Sequence, residues 1–171
     1  MAANAIRGNS LYTIVDGPQW EDAESNAVSQ GGHLASVNSQ SEQDFLWNQR
    51  RLWWKDGEAI WIGATDKDNE GIWRWSDGSL FTYSSWGVGE PNGGVPNEDY
   101  AQIPYLSTSL EWTSGNWNDD YNADTRPPFI TTSGIAEIPL NLSITRSSTP
   151  KEGSGSFTTS INLSAGTQSS L

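Results

Sequence analysis

Residues 84–120 read SSWGVGEPNGGVPNEDYAQIPYLSTSLEWTSGNWNDD. From Ser84 to Tyr100 the stretch is dense in Gly and Pro and has little hydrophobic period. A loop of that length inside a compact domain is functional or disordered. It carries Glu90-Pro91-Asn92 and, six residues past Asn92, Glu98-Asp99; Trp117-Asn118-Asp119 closes the stretch. These are hard oxygen donors with no soft donor nearby, which favours Ca²⁺ over zinc or copper. Calcium takes about six to eight oxygens, so Glu, Asn, Glu, Asn and Asp nearly fill its shell and leave positions for water or ligand hydroxyls. The bland alternative is a solvated acidic loop, which is what a charge run usually is.

The chain's charge concentrates around the same stretch. Nine basic and twenty-one acidic side chains leave a net charge of −12. Residues 56–120 hold twelve of the acids, against Lys67 and Arg74. This balance argues against nucleic acid and anionic lipid as partners and makes a cation the expected charged partner. Nine of the ten tryptophans, Trp47 to Trp117, lie in or just before the stretch. Aromatic-poor acidic tails are disordered; acids among tryptophans belong on folded structure. The chain has no cysteine and one histidine, His33. That excludes a disulfide scaffold, thiolate catalysis, Cys-ligated zinc and any multi-His metal site. His33 itself reads as structural. No run approaches the ~18 apolar residues of a membrane span and the N-terminus has no hydrophobic signal core, so no membrane insertion is expected. At 171 residues, one domain is the default.

Outward from the loop, local patterns place the elements. Leu11 to Val15 reads as a strand ended by Asp16-Gly17-Pro18. A helix follows, with Pro18 in its first turn, Trp20, Ala23, Ala27 and Val28 on one face, and Gly31-Gly32 as its stop. Ser39-Gln40-Ser41-Glu42 is a capping box opening a second helix, with Phe45 and Leu46 on its buried side. Ile60-Trp61-Ile62 is a short buried strand, and Trp73-Arg74-Trp75, Asp77-Gly78 and Leu80-Phe81 form a hairpin signal. Ile103, Trp112, Trp117 and Phe129-Ile130 mark later short strands. Residues 141–171 contain nine Ser, five Thr and no Trp. In this tail Ile138, Leu140, Leu142 and Ile144 alternate, as do Phe157, Ile161 and Leu163, which predicts two strands around a linker from Arg146 to Ser156.

Read together, the pieces resemble a C-type lectin domain. They are Trp20-Glu21-Asp22-Ala23, then Gly31-Gly32-His33-Leu34-Ala35-Ser36-Val37, Trp61-Ile62-Gly63, Glu90-Pro91-Asn92, Asn97-Glu98-Asp99 and Trp117-Asn118-Asp119. They occur in the family's order from about Gly8 to Thr131, about three quarters of the chain. A lone Glu-Pro-Asn would be a weak signal; the ordered set is a specific one. The resemblance implies an α+β fold, two helices flanking a small, mostly antiparallel sheet with long calcium-binding loops. It implies that Glu90, Asn92, Glu98, Asn118 and Asp119 ligate one Ca²⁺, with Asp119 adding its backbone oxygen, and that the Glu90–Pro91 peptide is cis. An accessory calcium site would use Asp66, Glu70, Glu98 and Asp99, together with an acid directly after Asn92, where this chain has Gly93.

The resemblance also implies four cysteines at positions that here are Ala27, Tyr100, Asn122 and Thr131, so both disulfides of the family are missing. Loss of a native disulfide costs a small secreted domain ~2–5 kcal/mol; a tryptophan-rich core and bound calcium are the expected offsets. Cysteine-free chains of this type fit bacterial extracellular proteins. The lectin-like unit is expected to span 1–138. Residues 139–171 are expected to be a Ser/Thr-rich linker or the truncated strands of a following β-domain.

The expected function is calcium-dependent binding of extracellular or cell-surface glycans, as the glycan-binding module of a large secreted adhesin. Two vicinal hydroxyls would each give a lone pair to Ca²⁺, donate to Glu90 or Glu98, and accept from Asn92 or Asn118. In the family, Glu-Pro-Asn goes with mannose-, fucose- or glucose-type sugars and Gln-Pro-Asp with galactose. Trp53, Trp54, Trp86 and Trp112 are candidates for stacking on a sugar, although core packing is the plainer role of each. The competing class is protein or ice binding through the same fold. A glycosidase using Glu90 and Glu98 is disfavoured, because a cation holds ligating carboxylates in the ionised form that a general acid cannot use. Ligation needs ionised carboxylates, so binding is expected to fade as the pH falls toward ~4.

Overall fold

A computed structural model describes residues 4–54, 56–93, 98–108, 110, 112, 114–122, 130–146 and 159–165, the last two segments from residue 141 onward as backbone only. Asn97, Phe129 and Phe157, named above, lie outside the described residues. The elements run β1 (Ala5–Arg7), β2 (Ser10–Asp16), α1 (Trp20–Ser29), β3 (His33–Leu34), α2 (Gln40–Trp53), β4 (Glu58–Thr65), β5 (Arg74–Trp75), β6 (Tyr100–Tyr105), β7 (Asn118–Asp120), β8 (Ile130–Arg146) and β9 (Thr159–Ala165). The strands follow the order β1-β2-β8-β4-β6-β7, with β3 and β9 paired to β8 and β5 to β4. Only β4 with β8 is parallel among these pairings. The fold is α+β, as expected.

The central strands feed two cores. In β4, Ile60, Ile62 and Ala64 enter one cluster with Leu46 and Trp53 of α2, whereas Trp61 enters the other with Trp20, Ala23 and Ala27 of α1. Neighbouring strands split the same way: Ile135 against Ala136 in β8, Ala101 and Ile103 against Tyr100 in β6. Successive strand residues point to opposite faces, so a strand covered by a helix on each side needs apolar residues throughout. All of β4 from Ala59 to Thr65 is buried. The Trp20 indole adds a directional tie, its Nε1 donating to the carbonyl of Ile62 at 2.7 Å.

Several local expectations need correction. The first helix begins at Trp20, and Val28 is 50% exposed; its buried stripe is Trp20, Ala23 and Ala27. At α2, Ser39 accepts from the Glu42 N–H, but the Glu42 carboxylate reaches Asn38 N–H at 2.9 Å instead of closing a reciprocal box. That frees it to bind elsewhere: it is buried and accepts from Tyr12 OH at 2.7 Å and Arg7 Nη1 at 3.1 Å, fastening β1 and β2 to α2. Arg74-Trp75 pairs with Ala64 and Thr65 of β4, not with Leu80-Phe81, which forms no strand. Trp112 is in no strand, and Trp117 forms an isolated bridge with Trp86 ahead of β7. His33 sits on β3, its Nδ1 2.6 Å from Glu24 Oε1, while the other Glu24 oxygen accepts from Leu34 N–H and Ser76 Oγ.

Where the family has cysteines, other contacts operate. Asn122 gives its backbone carbonyl to Trp20 N–H and exchanges side-chain hydrogen bonds with Glu21, whose Oε1 also accepts from Tyr100 OH. Ala27 is fully buried, and Thr131, also fully buried, donates from Oγ1 to Gln102 Oε1 at 2.5 Å. β8 passes through Ile138 without a break: Pro139 pairs with Ser10, Leu140 N–H donates to Asn9 O at 2.6 Å, and from Leu140 onward β8 pairs with β9.

Candidate functional site

The site gathers where β4, β6 and β7 end on one side of the sheet. Asp66 follows β4, Glu98-Asp99 precedes β6, and Asn118-Asp119 lies in β7. The β6–β7 register sets Ala101 opposite Asp119 and Gln102 opposite Asn118, which brings two sequence-distant acidic segments alongside each other. A third segment hangs on Trp117. Its N–H donates to Ser85 O at 2.7 Å, and its carbonyl accepts from Gly87 N–H at 2.8 Å. The chain then turns through Glu90 N–H to Gly87 O and enters the Glu90–Pro91 peptide, which is cis as expected.

Four of the five expected ligands form one hydrogen-bonded group. Asn92 Nδ2 donates to Glu90 Oε2 at 2.6 Å. The Asp119 carboxylate, 1% exposed, accepts from Asn92 N–H at 3.1 Å and Gly93 N–H at 2.9 Å, one on each oxygen. Asn118 Nδ2 donates to the Asp119 carbonyl at 2.8 Å. Glu98 is half-buried ahead of β6 and adds its charge to Glu90. Among the described residues no three His, Cys, Asp or Glu side chains stand close enough together to hold a metal ion. The carboxylate oxygens of Asp119 face backbone N–H groups, and Glu90 faces both the Asn92 amide and the Asp119 carboxylate.

The electrostatics of this group are those of anions short of a counter-charge. Burial, then the neighbouring Asp119 carboxylate and the charge of Glu98, push Glu90 up to about 7, while the Asn92 amide pulls the other way. Burial, with the charges of Asp99 and Asp119, raises Asp66, and the charges of Asp66, Asp99 and Asp119 raise the exposed Glu70. Asp66 Oδ2 accepts from Gly71 N–H at 2.8 Å; its Oδ1 is buried with no hydrogen-bond partner. Like charges crowd here with little basic compensation, and a cation among them would relieve every one of these shifts. The donor set, all carboxylate and amide oxygen, is the set hard divalent cations take. By donor chemistry the set suits calcium; among the described residues the acidic side chains are not gathered around one point.

A cavity of about 350 Å³ opens beside the site, lined by Asp66, Glu70, Gly71, Trp73, Pro91, Asn92 and Gly93. Gly93 has φ 57°, and a Cβ there would meet Glu70 Oε1 at 3.0 Å. A larger side chain at this position would therefore be strained. Of the candidate stacking tryptophans, Trp53 and Trp54 are 8% and 5% exposed and belong to the core. Trp86 packs edge-on against Trp73 and Trp117. Trp112 is half-buried, its ring edge against Gly87. The sequence reading missed Gln43 and Gln102, both buried. Gln102 Nε2 donates to Asp120 Oδ2 at 2.6 Å, next to Asn118-Asp119. Gln102 sits between Ala101 and Ile103, which hinted at burial; Gln43, among polar neighbours, carried no such signal.

Residues 17–130 match the family model described as the lectin C-type domain. The chain is 36% identical over 99 residues to the galactose-specific lectin nattectin of Thalassophryne nattereri, covering 57% of this chain. It spans 62% of the length of nattectin, and 51% of the hepatic lectin of Gallus gallus, to which it is 36% identical over 120 residues, 68% of this chain. The solved cow C-type carbohydrate-recognition domain of CD23, with a GlcNAc2Man3 oligosaccharide, is similar at TM-score 0.64 and 26% identity, over 80% of this chain and 93% of that one. A calcium-independent type II antifreeze protein shares the fold at TM-score 0.64 and 23% identity, over 80% and 91%.

Proposed function

The chain belongs to the C-type lectin domain family, and from that footing we propose that it binds glycans through a calcium ion held by Glu90, Asn92, Glu98, Asn118 and Asp119. The ion would supply a Lewis-acid seat for two neighbouring hydroxyls of a mannose-, fucose- or glucose-type sugar. The protein's own part is to place a carboxylate and an amide beside each hydroxyl, so that each has an acceptor and a donor. The observation that carries this reading is the pairing of the Glu90–Asn92 segment with Asn118-Asp119 through the Asp119 carboxylate. It unites both halves of the donor set at one place. Ligation of a calcium ion by Asp119 or Glu90 would exchange hydrogen bonds inside the group for bonds to the ion.

A second cation at Asp66, Glu70, Glu98 and Asp99 is part of the proposal, supported by the partnerless Asp66 Oδ1 and weakened by the missing carboxylate at Gly93. Residues 1–138 are proposed as the lectin unit, with 139–171 as a Ser/Thr-rich linker or the first strands of a following β-domain. The setting proposed is a large extracellular protein, an adhesin of bacterial type, supported by the absence of cysteine. Homologues of the chain are lectins rather than enzymes, and the proposed role is binding without catalysis.

The second reading is protein or ice binding without calcium. The same hydrogen bonds favour it, because they satisfy Asp119 with no cation. A glycan array probed with calcium and with a chelator separates the two. Chelator-sensitive binding to mannose-, fucose- or glucose-terminated glycans supports the lectin reading, and silence under both conditions overturns it.

A further inference from the structure

One buried amide outside the acidic group is tied to both ligand-bearing segments. Gln43, in the first turn of α2, is 1% exposed. Its Nε2 donates to Gly115 O at 2.5 Å, and its Oε1 accepts from Trp117 Nε1 at 2.7 Å. An indole N–H can only donate and a carbonyl can only accept, so these partners set the orientation of the amide uniquely. Trp117 is followed directly by Asn118-Asp119, and its backbone holds Ser85 and Gly87 of the Glu90 segment. Trp75, Phe81, Tyr83 and Trp86 surround its ring edge-on. Gly115 has φ 81°, and a Cβ on it would lie 2.8 Å from Gln43 Nε2 and 3.0 Å from the Trp47 ring, so the loop is moulded to this amide.

We propose that Gln43 is the positioning residue of the site: from α2 it fixes Trp117, and Trp117 fixes both the Asn118-Asp119 pair and the Glu90–Asn92 segment. The inference rests on the calcium reading above. Calcium–oxygen distances span only about 2.3–2.6 Å, so a shift of the Trp117 backbone that core packing would absorb still moves Asn118, Asp119 and the Glu90 segment relative to one another at the metal. Gln43→Met keeps the length of the side chain and removes both hydrogen bonds. Gln43→Glu keeps the acceptor for Trp117 and loses the donor to Gly115.

The experiment measures calcium affinity by titration and, in metal-free protein, hydrogen exchange of the Trp117 indole N–H. Leu34→Ala, in the other core cluster, is the control for general loss of stability. Gln43→Met is expected to weaken calcium binding about ten-fold or more, with Gln43→Glu in between, as for a buried partner left unpaired. Faster indole exchange accompanies it, and Leu34→Ala leaves calcium affinity unchanged. Should Gln43→Met fail to fold, Gln43→Glu and Gly115→Ala carry the same comparison. Unchanged affinity and exchange in the Gln43 variants overturn the proposal, and so does an equal loss of affinity in Leu34→Ala. A wild-type chain with no calcium affinity overturns the calcium reading instead, and the indole exchange then decides the Gln43 anchor by itself.

Discussion

The carboxylate of Asp119 holds the backbone of Asn92, 27 residues away in sequence, through the N–H of Asn92 to Oδ1 at 3.1 Å. With the Gly93 N–H on the other oxygen at 2.9 Å, a single buried side chain pins the Glu90–Gly93 turn to β7. Asp119→Ala leaves two N–H groups without an acceptor and is expected to cost about 1–3 kcal/mol. Both core clusters are untouched, so the domain still folds while calcium-dependent glycan retention is lost. Circular dichroism melting and a glycan column read the two effects; full retention on the column would contradict the assignment.

Glu90 introduces a pH dependence above the ordinary carboxylate range. Its carboxyl is raised from 4.5 to about 7. A raised acid binds its proton more tightly in the folded chain, so in the absence of metal its contribution to stability is present below pH 4.5 and is lost as the pH rises through about 7. Calcium takes the ionised form, so its affinity is expected to begin falling as the pH drops below about 7, not only near 4. Calcium titrations at pH 8, 7, 6 and 5 test this, and constant affinity down to pH 5 would sink it. Glu90→Gln removes the titration.

Calcium is expected to bind the folded state alone and so to raise the thermal midpoint. At 100 times its Kd a ligand adds about 2.7 kcal/mol, which is roughly 5–11 °C for a domain near this size. Scanning calorimetry with calcium and with EDTA measures the shift. Coincident curves would favour the calcium-free reading.

Under the calcium reading, sugar selectivity is expected to follow from the order of donor and acceptor around the metal. Wild type is expected to be competed by mannose, fucose or glucose and poorly by galactose, whose usual hydroxyl pair has one member axial. The mismatch leaves a polar group unpaired, worth about 1–3 kcal/mol or roughly ten-fold and upward in affinity. Glu90→Gln with Asn92→Asp conserves the charge and reverses the order, so the preference is expected to move toward galactose. Competition assays on both proteins decide it. Galactose as the best competitor of wild type would make the chain like nattectin, a galactose-specific lectin, and refute the assignment of sugar class.

Glu42→Ala tests stability away from the site. It leaves Tyr12 OH, Arg7 and Asn38 N–H without their shared acceptor, an expected loss of about 2–4 kcal/mol. Urea unfolding measures it, and glycan binding by the folded fraction is expected to be unchanged.

The sequence by itself determined the apolar members of the helices' buried stripes other than Val28, the apolar central strand and the ordered motifs of the lectin domain. These are local patterns: 3.6-residue periods at Trp20, Ala23 and Ala27, a run of apolar residues at Ile60-Trp61-Ile62, and oxygen donors at fixed offsets around Pro91. Tertiary structure alone decided which partners those residues take. Arg74-Trp75 turns to β4 rather than to its sequence neighbour, because β4 is no longer paired with β8 beyond Trp61 and joining a large sheet is more stable than an isolated hairpin. Glu42 and Gln43 look like the polar surface of a helix, yet both are buried, because Tyr12 and Trp117 bring donors from segments thirty or more residues distant. Glu90's shifted proton has the same origin. No period or spacing encodes the closeness of Asp119 and Glu98; the register of β6 on β7 and the Trp117 anchor create it.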